Sequence, residues 1–388
     1  ANSAVMVAAT LRQPANSMLK SCLRRVESLL KEPFDANIKV AVACMLHEYC
    51  AVALDLDAER LAIQVARPLL LSPYLSPHRA CYYFRTEGYI HYLYGRHTEA
   101  LACFDAADAL ERENGFPPIL AHAHYRGLCE RRAGLLDQAD ETIRRINDSP
   151  NSNREFNKAG LHILKAVVAF DRGDAPRAIE TALIAYRYYD DCGEFIGLVL
   201  TGTVAANMAI VGNRFDVAEQ ILIRLRDEEY GAVAENYLAA IVLNQAWLAH
   251  RSGESRLRDM LLGDALRRAR MDDARARLRW YPNALAELLP IAVRSGIEAE
   301  TALALAREFC VIPEPPDVEI WPWPVKVYTL GNFELLINGE PPAYSRKIPK
   351  KVLALLKSII ALGGSEIPEQ KLLDALWPDD DGDAARRS

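Results

Sequence analysis

The histidines and carboxylates are the residues whose spacing would carry chemistry, and each arrangement stops short of a reaction. His47-Glu48 begins like a zinc-protease helix, in which a second histidine four residues after the first completes the metal site, but that position holds Ala51. His122 and His124 are two apart, so on a helix they point to different faces and give no shared metal site. His78, His91 and His97 read as groove-lining or surface residues. The acidic run Asp379 to Asp383 is superficially a calcium loop. Counting back from Gly382 puts Trp377 at the first ligand position and Ser388 at the last, so both the opening carboxylate and the closing glutamate are lacking. The chain has no GxxxxGK[ST] phosphate loop, no GxSxG elbow and no Cys and His spacing suited to nucleophilic catalysis. The sequence gives no support for an enzyme and calls for no cofactor or metal.

What remains suits binding. Tyr82, Tyr83, Tyr89, Tyr92, Tyr94, Tyr125, Tyr186, Tyr188 and Tyr189 make one stretch dense in aromatic residues, as a peptide or small-effector groove would be, or as gap-filling between helices would require. Arg85, Arg126 and Lys165 follow at intervals of 41 and 39 and would form a basic ladder for an acidic peptide or anionic ligand, with Arg85, Tyr89, Tyr92, Arg126 and Lys165 as the expected groove residues.

These residues sit within a repeat. Gly88, Gly95, Ala100, Phe104 and Ala107 take the small and bulky positions of a helix, a turn and a second helix; adding 39 gives Gly127, Gly134, Ala139, Ile143 and Ile146. Two further steps give Ala166, Gly173, Ala178, Ala182 and Ala185, then Ala205, Gly212, Val217 and Ile221. The pattern resembles the tetratricopeptide repeat, which implies helix pairs that bury their apolar faces by stacking into a solenoid with a concave binding groove. The interval exceeds the usual ~34 residues, so the helices are expected to be longer, closer to the helical-repeat region of MalT-like bacterial regulators. Each unit's glycine, seven residues after its small residue, is expected to end the first helix. Three opening helices are read at Asn16 to Lys31, Ala36 to Leu54 and Ala58 to Leu71. A slipped unit carries Ala246 and Gly253, and a last pair runs from Asp272 to Leu289 and from Ala299 to Cys310.

Among 388 residues, 51% are hydrophobic and the net charge is −6, which argues against a polyanion-binding surface over the whole chain. Eight scattered cysteines without a CxxC pair fit buried thiols in a reducing cytosol, and Ala1 to Thr10 lacks the basic start of a signal peptide. The expected location is cytoplasmic. Phe195 to Gly212 is uncharged for 18 residues, but Thr201, Thr203 and Asn207 and its place in the repeat favour a buried helix over a membrane span.

After Cys310, five prolines between Ile312 and Pro324 mark a connector. Two β-type runs follow, Lys326 to Leu330 and Phe333 to Ile337, with Asn338-Gly339 as a hairpin signal. An amphipathic helix from Pro349 to Leu362 stops at Gly363-Gly364, Pro368 to Trp377 reads as a second helix, and Ala384-Ala385-Arg386-Arg387 begins a third. The stretches KVYTLGNFELLINGE, KVLALLKSIIALGG and LLDALWPDDDGDAARRS resemble the winged helix-turn-helix of OmpR-type regulators, closest to SARP-like bacterial transcriptional activators. That resemblance implies DNA binding by the complete C-terminal domain through a third helix and a wing. Almost all of the third helix and the wing would lie past Ser388, so this chain itself is expected to bind DNA poorly. Basic residues for phosphate contact are Arg346, Lys347, Lys350, Lys351, Arg386 and Arg387.

The fold expected is mainly α: an α-solenoid of tetratricopeptide-like helix pairs over residues 1–311, a proline-rich linker over 312–325, and a small α+β partial winged-helix domain over 326–388. The function expected is that of a bacterial transcriptional regulator, with peptide, protein or small effector bound in the repeat groove, no membrane partner, and an oligomeric state the sequence leaves open. The alternative is a tetratricopeptide-type scaffold that binds a partner peptide without DNA.

Overall fold

A computed structural model describes residues 2–12, 17–53, 55–226, 235–270, 275, 277–316, 318, 320–342, 350–364 and 366–376. The chain divides into two compact units, Ala1–Trp321 and Pro322–Ser388. The first is a mainly helical solenoid of antiparallel pairs. It opens with α1 (Asn2–Arg12), α2 (Met18–Lys31), α3 (Ala36–Ala53) and α4 (Leu56–Leu69). The periodic pairs follow as α5 (Pro77–Leu93) with α6 (His97–Asn114), α7 (Ala123–Arg132) with α8 (Leu136–Asn147), α9 (Glu155–Asp171) with α10 (Ala175–Cys192), and α11 (Phe195–Val211) with α12 (Phe215–Leu225). Two more pairs close it: α13 (Glu235–Arg251) with α14 (Ser255–Arg268), and α15 (Pro282–Ser295) with α16 (Ala299–Glu308).

The sequence explains these helices locally. Ser76 accepts from Arg79 N ahead of Pro77 in the first turn of α5, and Asp55 and Asp174 cap α4 and α10 in the same way. Helix α10 buries Ala178, Ile179, Ala182, Ala185, Tyr186 and Tyr189, the three-and-four spacing of one helical face. Helix α11 is buried nearly all round, which accounts for its uncharged sequence; no helix of the described residues is long and apolar enough to cross a membrane.

The repeat's small residues permit close approach in two different ways. A Cβ on Gly88 would lie 3.0 Å from Phe104 Cζ in the partner helix α6, whereas one on Gly127 would lie 2.4 Å from Leu164 Cδ2 in α9 of the next unit. The first three turns share one geometry: Gly95, Gly134 and Gly173 take φ of 74°, 76° and 81°. The next residue's N–H then reaches back five positions, as from Arg96 N to His91 O at 2.8 Å. The fourth turn departs from the expected phase. Helix α11 runs one residue longer, Gly212 becomes the cap at φ −79°, and Asn213 takes the left-handed position at φ 56°. The hydrogen-bond pattern survives, with Arg214 N to Ala209 O at 2.7 Å.

Three further differences from expectation concern contacts between distant parts of the chain. Helix α1 packs against α2, α3 and α11, with Met6 and Thr10 fully buried. The expected helix from Asp272 to Leu289 is interrupted: Arg275, Arg277 and Leu278 are helical, Arg279 and Trp280 turn the chain, and α15 starts at Pro282. The proline stretch does not run free as far as residue 325. Trp321 is 1% exposed, its Nε1 donates to Val311 O at 3.0 Å, and Glu314 N donates to Ala286 O, so the stretch up to Trp321 belongs to the helical unit.

In the second unit, β1 (Val325–Tyr328) pairs antiparallel with β2 (Glu334–Ile337), with Val325 opposite Ile337 and Tyr328 opposite Glu334. Asn338 and Gly339, at φ 53° and 87°, turn the chain so that Ile337 bridges Glu340. Helices α17 (Lys350–Ala361) and α18 (Glu369–Leu376) follow, separated by Gly363 and Gly364 at positive φ, and Leu373 of α18 is buried.

Candidate ligand-binding site

The first helices of the periodic pairs carry aromatic and polar side chains into two adjoining cavities, both within the helical unit. One, of ≈220 Å³, is lined by residues of α7, α9 and α11 together with Tyr92, Trp280 and Tyr281. Trp280 and Tyr281, at the end of the segment 277–281, close part of it. Trp280 stacks on Tyr92 with ring centroids 6.1 Å apart, and Tyr281 Oη donates to Thr203 Oγ1 at 2.6 Å. Arg277, 1% exposed, anchors this segment by donating from Nη2 to Ala51 O at 3.1 Å and by placing its guanidinium 4.6 Å from the centroid of the Tyr237 ring.

The charges around this first cavity are unequal. Arg131 makes a bidentate pair with Asp171 at 2.6 and 2.7 Å. Its neighbour Arg132, exposed at the rim, makes no hydrogen bond or ion pair with any described residue; desolvation, set against Tyr92 and reinforced by Arg131, lowers its pKa. His124 is buried and pushed down to about 3, first by burial and then by His122, so it stays neutral.

The second cavity, of ≈260 Å³, is lined by Val7 and Leu11 of α1 and by Glu48, Tyr82, Tyr89, His122, Tyr125, Phe156, Tyr189 and Glu194, among others. His122 Nε2 lies 2.6 Å from Glu48 Oε1, and its ring stacks on Tyr89 at 4.3 Å and 4°. Glu194 caps α11, accepting from Ile196 N at 3.1 Å and Gly197 N at 2.6 Å. Burial pushes its carboxyl up to about 7; the two cap bonds oppose the shift and the Glu48 charge adds to it. Tyr125, Tyr189 and Gly197 line both cavities.

The structure places the expected site residues unequally. Tyr89 and Tyr92 face the second and the first cavity respectively. Arg85 does not reach either. It is fully buried, donating from Nη2 to Asp108 Oδ1 at 2.6 Å and Glu111 Oε1 at 2.8 Å. Arg126 pairs with Asp105 at 2.7 Å, Asp108 at 3.3 Å and Glu130 at 2.8 Å, and Arg145 completes the group at Asp108. Burial alone would raise the Asp108 pKa, but Arg85, Arg145 and Arg126 hold it below the ordinary range. Lys165 lies apart, half-buried, its pKa lowered by burial and by Arg177. A ladder therefore does not form. The interval of 41 between Arg85 and Arg126 exceeds the repeat by two residues, roughly 200° around a helix.

Of the basic residues expected on DNA, Arg346, Lys347, Arg386 and Arg387, and the side chain of Lys350, lie outside the described residues; Lys351 is exposed on α17. The third helix and the acidic run from Asp379 lie outside them as well. The residues that sequence reasoning missed are Glu48 and Glu194 as cavity walls, Arg132, Trp280 and Tyr281. Glu194 leaves one visible trace: a single carboxylate between Gly193 and the long uncharged stretch that it caps.

No protein-family model matches the chain, and no curated protein matches it. Among solved structures, the quorum sensor NprR in complex with its cognate peptide NprX is similar at 14% identity and a TM-score of 0.53, over 79% of this chain and 87% of that one. The apo form of NprR from B. thuringiensis aligns at 14% identity and a TM-score of 0.47, over 78% of this chain and 83% of that one. The NprX complex shares the helical-repeat fold with this chain.

Proposed function

We propose that the chain belongs to a bacterial cytoplasmic transcriptional regulator, whose helical unit senses a short peptide or peptide-like effector and whose C-terminal unit is the first part of an OmpR-type winged helix. The observation that carries the reading is the pair of adjoining cavities on the first helices. Their tyrosines, Arg132, Glu48 and Glu194 offer recognition groups beyond those that hold the repeats together. The fold held in common with a quorum sensor solved around its cognate peptide supports it. The antiparallel β1–β2 pair followed by two helices split at Gly363-Gly364 supports the second half, since that order opens a winged helix-turn-helix.

The test has two parts. Short random peptides displayed against the immobilised chain should yield a binder that loses at least about tenfold affinity when Tyr92 or Tyr125 becomes Ala. Duplex DNA should be bound by a longer version carrying a complete recognition helix and wing, with a steep fall as salt rises. Failure to select any peptide overturns the sensor reading, and absence of DNA binding by the longer version leaves a scaffold in its place.

A further inference from the structure

The second cavity is mostly aromatic, yet beside its tyrosine phenols it carries two carboxylates and one imidazole. No Lys or Arg among the described residues lines it. Glu194 is 8% exposed and accepts only backbone N–H groups, making no ion pair with any described residue. Glu48 is 7% exposed and is bonded to His122. His122 is itself 5% exposed, and its other ring nitrogen, Nδ1, has no hydrogen-bond partner among the described residues. In the tautomer whose Nε2–H donates to Glu48, Nδ1 is an acceptor. The cavity therefore pairs a surplus of acceptors and negative charge with π faces: Tyr89 on His122, Tyr125 at 4.4 Å from Tyr89, and Phe156 edge-on to Tyr189 at 6.0 Å.

A neutral apolar ligand would leave both carboxylates buried against it, and an anion would be repelled. A cation satisfies both features, because ring faces attract it and a buried carboxylate gains most from a countercharge. The floor admits close approach: a Cβ on Gly197 would lie 2.3 Å from Glu194 Oε2 and 2.3 Å from Tyr189 Cε1, so only glycine leaves the carboxylate and ring where they are.

We propose that the cavity walled by Tyr89, Tyr125, Tyr189, Glu48 and Glu194 is a subsite for a cationic nitrogen group, an ammonium or guanidinium carried by the effector. The inference rests on the reading of the two cavities as an effector site and narrows it to effectors that bring a positive charge.

The test uses the full chain and small probes. n-Butylammonium, tetramethylammonium and methylguanidinium are titrated beside uncharged n-butanol, followed by tyrosine fluorescence. At least one cation should saturate in roughly the millimolar range, while n-butanol binds at least about tenfold more weakly. Glu194→Gln keeps an oxygen for the cap bonds and should weaken the cation about tenfold or more without changing n-butanol. Glu48→Gln serves as the second variant, with circular dichroism confirming the fold of each. Equal binding of n-butanol and the cations, no saturation by any cation, or indifference to both substitutions overturns the subsite. Display-selected peptides that bind the cavities without a cationic group would do the same while leaving the sensor reading intact, whereas a failure to select any peptide removes the sensor reading itself.

Discussion

The two cavities share Tyr125, Tyr189 and Gly197 as walls but differ in charge. One has the rim cation Arg132, with no ion pair among the described residues, and a neutral His124, while the other holds Glu48 and Glu194 with no described lysine or arginine. The contrast comes from where each charge finds a partner. Arg131 is neutralised across the repeat by Asp171, which leaves its neighbour Arg132 available. Glu194 is held by backbone donors alone, because a helix N-terminus stabilises a carboxylate without supplying a full countercharge. A ligand charged positively at one end and negatively at the other would match this polarity.

The most disruptive way to break the comparison is Gly197→Leu. The new side chain meets Glu194 and Tyr189 at once, so both cavities should lose their ligands together, at a stability cost of about 3 kcal/mol. Chemical denaturation and peptide titration of the same protein measure the two effects. Retention of one binding activity with loss of the other would show that the cavities are independent.

Next in size is the pH dependence carried by Glu194. Its pKa is raised from 4.5 to about 7, so the unfolded chain ionises first as pH rises. Stability should fall through that window by up to ~3 kcal/mol and level off above it. Glu48, His122, Tyr89, Tyr125 and Tyr189 face the same cavity, and the phenol pKa values of Tyr89, Tyr125 and Tyr189 are raised further by burial. Glu194→Gln should flatten this part of the profile in urea melts taken across the window. A saturating cationic probe should flatten it in the wild type.

A smaller effect is expected from Arg132→Gln. A selected peptide with a free carboxylate should bind about tenfold more weakly, ~1.4 kcal/mol, and stability should change little, since the side chain is exposed at the rim and makes no ion pair. The amidated form of the same peptide should be indifferent to the substitution. Equal losses for both forms would place the carboxylate elsewhere.

Local features of this fold were legible and distant ones were not. The glycines at 95, 134 and 173 were readable because a left-handed residue after a helix is a local demand. Gly212 misled, because a helix one residue longer passes that demand to Asn213 without altering the sequence period. The tyrosines at 89 and 92 could be placed on a first helix from the repeat, but the basic ladder could not be read correctly. A two-residue offset turns Arg85 inward to Asp108 and Glu111, and nothing adjacent to Arg85 in the sequence announces those partners. Trp280, Tyr281 and the anchor Arg277 reach the site through contacts to Tyr92, Thr203 and Ala51, and α1 through packing on α11. No periodicity encodes such long-range closures.

The most direct measurement of the central claim is amide hydrogen exchange on the chain with and without a display-selected peptide. Protection concentrated on α5, α7, α9 and α11 and on residues 277–281 is the predicted result. Protection confined to α6, α8, α10 and α12, with the first helices unchanged, would contradict the claim that the cavities on the first helices are where this protein meets its effector.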